Sequence, residues 1–443
     1  MRAEEICQLV LRACKAQGVN DVVVSVGQSE GVMLRFSNDQ ITVANTLMDV
    51  TANIFVNDNG RKASTSVADL TKKGLEFASR KVVEAAKHAP AGATYAPLPK
   101  GPFTYDHKLL EGRTVPSDPK KLVSYVQDAI LAAKAEGAKR VAGSLIVDNG
   151  KLTLHTSSGA FGMLKKSSME LSLRAFASDI ASGHAVCVAG IESDFKPAET
   201  GAEAGRMARL ASEPVEGEPG EYKAVLGPMV FADIVQQAGR HASAFFVDAN
   251  LSFLSDKLGQ RVAAESFNLV DDPTLENSYG SVPFDAEGLP TQRTPIVENG
   301  ILRTYLHNSS TALKFGSKST ANAGLVAPHP FNLVVGAGES TLEELIAAVD
   351  KGIYVTNDWY LRYQNYQTGD FSAIPRDAMF LIKDGKIDRP IKELRISDNV
   401  LRMLSNLRGM TRERRWIKWW EVEVPVLCPA ALVDGVRFTK SRQ

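Results

Sequence analysis

The chain has 443 residues, of which 44% are hydrophobic and 23% charged, and its 51 Lys plus Arg balance 51 Asp plus Glu. That length exceeds one ordinary core, so two domains are expected, and a formal net charge of zero removes any broad attraction to nucleic acid or an anionic membrane. Cys7, Cys14, Cys187 and Cys428 have no short paired spacing, the charged start at Arg2, Glu4 and Glu5 lacks an apolar signal core, and no apolar run approaches bilayer length, so a cytoplasmic protein with reduced thiols is expected.

Ile6, Leu9, Val10, Ala13 and Cys14 fall at helical spacing in residues 3–17, and strands are predicted at Val22–Val26, Val32–Phe36, from Ile41, and at Ala52–Val56. Residues 69–88 return to helical periodicity. Asp118 and Pro119 form an N-cap and first-turn pair for a helix reaching Ala135. Strands are predicted at Val141–Val147 and Lys151–Ser157, joined by a turn at Asp148, Asn149 and Gly150, then at Ser168–Ala177, with a helix over Glu199–Ala211. The Pro- and Gly-rich stretch Glu213–Gly220 is the best boundary, giving an α+β helix-and-meander domain over 1–218. The second domain, 219–443, reads as a large, largely antiparallel β-sheet or incomplete barrel with few helices. Those helices are placed at Pro228–Gly239 and Thr341–Val349, the latter capped by Ser340 with Glu343. Asn299-Gly300 and Asp384-Gly385 are predicted hairpin turns.

A compact helical zinc site needs two imidazoles one turn apart, but the closest histidines, His88 and His107, are 19 residues apart. A site assembled from distant residues such as His241, His307, Asp370 or Cys428 stays open, although His241 reads more simply as a helix-end residue and Cys428 as a packed strand thiol. Gly27–Gly31 matches G-x-S-x-G, but its exit alternates as a strand, so Ser29 reads as a hairpin-turn residue rather than a nucleophile. The basic run Arg412, Arg414, Arg415 and Lys418, interleaved with Trp416, Trp419 and Trp420, reads first as a strand or loop that buries its tryptophans. A subunit interface or a stacking surface for nucleic acid are its alternatives. Two small polar segments, with Thr320, Asn322 and Gly324 in one and Thr368, Gly369 and Asp370 in the other, could line a peptide cleft or simply be demanding loops.

Several ordered segments resemble the TldD/PmbA family: VVVSVGQSEGVMLRFSNDQI near the start, SVPFDAEG at 281–288, ENGILRTYLHN at 298–308, GSKSTANAG at 316–324, TGDFS at 368–372 and FLIKDGKIDRPI at 380–391. The chain is similar to the metal-site-lacking TldE/PmbA branch, formerly called modulator of DNA gyrase. In the TldD-like catalytic branch a helix carries His-Glu-x-x-x-His and a distant cysteine completes a zinc site. The matching region here, Gly227–His241, offers no His-Glu pair, and Cys428 lacks the catalytic branch's Cys-Gly-Lys context, so no metal or catalytic role is carried onto this chain. The resemblance implies a noncatalytic partner subunit of a zinc metallopeptidase complex. Zinc would sit in a TldD-like partner, and a peptide or partly unfolded protein would be the substrate. An isolated chain could pair with itself, with no direct nucleic-acid or membrane contact. An autonomous divergent metallopeptidase and a homo-oligomeric peptide-binding or modulator protein are the alternatives.

Overall fold

A computed structural model describes residues 1–92, 94–112 and 114–441. The first half contains helix α1 (Ala3–Lys15), strands β1 (Asp21–Ser37), β2 (Gln40–Asp58) and β3 (Arg61–Val67), and helices α2 (Lys72–His88), α3 (His107–Leu110) and α4 (Pro119–Ala135). Strands β4 (Arg140–Thr156), β5 (Phe161–Phe176) and β6 (Ser182–Ala189) and helix α5 (Pro197–Leu210) follow. Its strands form one antiparallel sheet in the order β3-β2-β1-β4-β5-β6.

The turns expected at Gly27–Gly31 and Asp148–Gly150 are absent. β1 and β4 run unbroken through both, so Ser29 lies mid-strand opposite Asp49 and Gly150, and its hydroxyl donates to Asp148. The expected strands at Ile41 and Ala52–Val56 are likewise one strand. Helices α1 and α2 cover one end of the sheet, over Val22, Val24, Val26 and Ile54. Helices α4 and α5 cover the other, over Leu34, Phe36, Leu145 and Leu171. The middle of β1 lies between these two cores, so it is polar and glycine-rich while its backbone ladder continues. Such composition imitates a turn.

The second half contains β7 (Val215–Glu216), β8 (Gly220–Leu226), α6 (Pro228–His241), α7 (Ala244–Asp248), β9 (Leu269–Asp271), β10 (Thr294–Glu298), β11 (Ile301–Leu302), α8 (Ser309–Lys314), β12 (Leu333–Val335) and α9 (Leu342–Ala347). It continues through β13 (Lys351–Val355), β14 (Trp359–Asn365), β15 (Asp370–Ile374), β16 (Met379–Lys383), β17 (Lys386–Lys392), β18 (Leu394–Asn399), α10 (Val400–Ser405), β19 (Leu407–Ile417) and β20 (Val426–Lys440). These strands make a large open sheet, not a closed barrel. It is largely antiparallel, as expected, and mixed only where β12 runs parallel to β20, β8 to β13 and β7 to β17. Both expected hairpin turns form, with φ of 50° and 73° at Asn299 and Gly300 and 49° and 73° at Asp384 and Gly385. The capping box of α9 is shifted by one residue, to Thr341 and Glu344.

Polar contacts lock the two sheets together. Buried Asp377 accepts hydrogen bonds from Arg174 at 2.6 Å, Ser182 at 2.6 Å and Asn357 at 2.6 Å. His184 bridges Ser172 at 2.9 Å and Asn357 at 3.1 Å, and burial pushes its pKa down to about 4. The basic run on and after β19 serves the same junction: Arg415 pairs with Glu203 of α5, and Lys418 reaches Glu170 of β5 at 2.7 Å. Trp419 is buried in the second core while Trp420 stays exposed.

Close helix contact sets one stability limit. A Cβ at Gly201 of α5 would collide with the Ala129 carbonyl of α4, and one at Gly205 with that of Ala133. Gly201→Val should therefore lower the unfolding free energy by about 3 kcal/mol, at the upper end of ordinary overpacking penalties. Urea titration would show this; an unchanged midpoint would mean that the helices can part freely.

Candidate functional site

Helix α6 is apolar on nearly every side, with Met229 to Val235 all buried, because it packs across β8, β12, β19 and β20. Asp233 and Gln236 interrupt that apolar run, and both are fully buried. Gln236 acts as a brace. Its amide nitrogen donates to Asp233 at 2.7 Å and to the Glu421 carbonyl, and its oxygen accepts from Glu423 N at 2.9 Å and Val424 N at 3.4 Å. Gln237 also donates to Asp233, at 3.2 Å. The segment leading into β20 is thereby tied to the helix.

Beside this brace is a cavity of about 550 Å³ between α6, β14 and residues 420–423. Asp233, Glu421 and His241 contribute polar groups to its wall, and Phe246, Leu251, Leu361, Tyr363, Tyr366 and Trp420 supply apolar and aromatic surface. Arg240 pairs with Glu423 at 3.1 Å and Arg362 with Glu421 at 3.3 Å, so both arginines of the lining already face carboxylates. His241 ends α6 as expected, yet its ring is stacked on Phe253 with centroids 4.5 Å apart. Burial, reinforced by Arg240, pushes its pKa down to about 4, leaving the imidazole neutral near pH 7. Burial raises the pKa of Asp233, with Glu421 adding to the rise; burial also raises Asp358, helped by Asp233 and Glu421.

Cys428 lies near the start of β20, fully buried, with its backbone paired to Arg415. Burial raises its thiol well above the usual range. It does not line the α6 cavity. Among the described residues, no three His, Cys, Asp or Glu side chains are arranged to hold a metal ion.

The two polar segments occupy different places. Thr320 accepts from His307 N at 2.8 Å, Asn322 donates to buried Asp271 at 2.5 Å, and Gly324 N donates to Ala327 O at 3.1 Å. Thr368, Gly369 and Asp370 instead form the turn between β14 and β15, with Thr368 donating to Asp370 at 2.5 Å and Gly369 N to Asn365 O at 3.0 Å. No hydrogen bond joins the two sets among the described residues, and none of the six lines the α6 cavity. Their neighbour Tyr366 does. Sequence reading passed over Asp233, Asp358, Tyr363 and Glu421. The one available signal was an aspartate set inside the apolar run of α6.

Two consequences are measurable. Gln236→Ala would leave Asp233, the Glu421 carbonyl and two amides short of partners, so a loss of about 2–4 kcal/mol is expected in chemical denaturation. Asp233 holds its proton to higher pH when folded than when unfolded. Its stability contribution is therefore complete below the unfolded carboxyl value, about 3.9, and is lost as pH rises through the raised folded value. Asp233→Asn should flatten the fall of stability between about pH 4 and neutrality. Parallel stability–pH curves for the two proteins would refute that assignment.

Residues 219–440 match the family model described as the PmbA/TldA metallopeptidase C-terminal domain. A protein of Methanothermobacter thermautotrophicus named "Metalloprotease" is 30% identical over 313 residues, covering 66% of each chain. The matched stretch is thus just under two-thirds of that relative, and a Methanocaldococcus jannaschii metalloprotease, 33% identical, is matched over 44% of its length. The fold extends further. A Thermotoga maritima structure described as a modulator of a DNA gyrase aligns with a TM-score of 0.84 at 23% identity, over 98% of this chain and 100% of that one. TldE from Thermococcus kodakarensis aligns with a TM-score of 0.82 at 18% identity, over 98% and 100%. On the strength of the family match across half its length, this chain belongs to the PmbA/TldD family.

Proposed function

We propose that this chain is a noncatalytic partner subunit of a TldD/TldE-type zinc metallopeptidase complex, working in the cytoplasm on peptides or partly unfolded proteins. The carrying observation is the condition of α6. Counting back from His241 along the His-Glu-x-x-x-His spacing of the catalytic branch reaches Gln236 and Gln237, where a zinc ligand and a general base would be needed. Both amides instead donate to Asp233, and Gln236 also holds the chain before β20. His241 is stacked among aromatic rings, and Cys428 is a buried thiol in the sheet. Zinc prefers imidazole, thiolate and carboxylate donors, so these residues do not fit it.

The zinc and its activated water would then belong to a TldD-like subunit, and this chain would supply part of the enclosure around the peptide. The α6 cavity, reached beside Tyr366, is the surface proposed to meet substrate. The protein purified alone should hold substoichiometric zinc and show no peptidase activity, whereas its mixture with a TldD-like chain from the same cell should form a complex that hydrolyses peptides. Stoichiometric zinc with peptide hydrolysis by the isolated chain would overturn this reading, as would failure to associate with any such chain.

A further inference from the structure

The cavity beside α6 is short of hydrogen-bond donors. Asp233 Oδ2, Glu421 Oε1 and His241 Nδ1 are all buried without a hydrogen-bond partner. Both carboxyl oxygens of Asp358, which interacts electrostatically with Asp233 and Glu421, are in the same condition. His241 is only 6% exposed and still contributes to the cavity wall, so its unpartnered Nδ1 is a buried polar group beside the space. Such unfilled acceptors in a protein interior call for a partner.

Carboxyl groups outnumber guanidinium groups on the wall: Asp233, Glu421 and Glu423 line the cavity with Arg240 and Arg362, each arginine already faces a carboxylate, and a cation beside Asp233 would favour its ionised form. The Tyr363 hydroxyl is also unpartnered, and the Tyr363 and Tyr366 rings lie 4.9 Å apart on the wall near exposed Trp420. Aromatic faces with carboxylates form a setting for a desolvated cation. A hard divalent ion would need several oxygens converging at about 2.0–2.6 Å, whereas no three acidic, His or Cys side chains among the described residues are so arranged. The space, about 550 Å³, is also far larger than an ion requires.

We infer that the α6 cavity is a recognition site for a primary ammonium group carried on a small organic chain, with Asp233, Glu421 and His241 as acceptors and Tyr363, Tyr366 and Trp420 as the aromatic wall. An ammonium has three N–H donors, matching the shortage in the wall. A peptide supplies that group either at its amino terminus or on a lysine side chain. That the ammonium arrives on a peptide rests on the proposed role in a peptidase complex; the ammonium chemistry itself does not.

Isothermal titration calorimetry on the full isolated chain tests this with trialanine amide, its N-acetylated twin and Nα-acetyl-lysine amide. At least one probe with a free amine should bind about tenfold more tightly than the acetylated twin, corresponding to about 1.4 kcal/mol. Trialanine amide as the tighter ligand would identify the amino terminus as the source, and Nα-acetyl-lysine amide the side chain. Asp233→Asn should abolish the preference while the thermal unfolding transition is retained. Tyr366→Ala, at the exposed rim, should weaken the preferred amine severalfold and supplies the answer should the buried variant fail to fold. Equal binding of the acetylated twin, no binding of either amine, or unchanged affinity in the folded variants would overturn the inference. No partner or metal enters the assay, so its failure would leave the subunit proposal standing, and failure to find a partner would leave the ammonium site standing.

Discussion

Strand β20 is the constraint on which the second half of the protein depends. It pairs in parallel with β12 and antiparallel with β8, β18 and β19, joining segments from residue 220 to residue 440 in one sheet. Helix α6 lies against this strand, and residues 420–424 run directly into it. The Gln236 brace therefore ties the helix to the entry of the sheet's central strand. The cavity exists because β14 crosses the same region and leaves its aromatic side chains facing the helix.

Charge is handled by local pairing throughout. The basic run after Leu407 would be a strong positive stripe on an isolated strand, but Arg415 and Lys418 meet Glu203 and Glu170 of the first half. Arg412 and Arg414 donate to the backbone carbonyls of Glu339 and Val335. Such pairing across the two sheets orients them, although charge burial often adds little net stability because desolvation opposes the attraction. The α6 cavity is the contrasting case, since Asp233 and Glu421 each keep one oxygen unpaired beside open space.

Regular elements were legible where one side of the chain faces a core and the other faces water. The helices α1, α2, α4 and α5 and the hairpins at Asn299-Gly300 and Asp384-Gly385 show their periodicity or turn chemistry directly. The middle of β1 and β4 did not, because exposed strand and turn share a polar, glycine-rich composition. Parallel pairing in the second sheet was also hidden, since β12 meets β20 only after a long excursion of the chain. At the site, Cys428 is the packed strand thiol and His241 the helix-end residue that their context suggested, but the stacking of His241 among aromatic rings was not legible.

By itself, the sequence determined the α+β class, the ordered family segments and the lack of a compact histidine pair, because these depend on residue type and short spacing. Only the tertiary structure decided that Asp233, Tyr363 and Glu421 share one cavity wall. They come from α6, β14 and the approach to β20, which lie far apart along the chain. Their missing partners, and the raised proton affinity of Asp233, arise from burial and mutual approach, quantities that no local pattern of residues encodes.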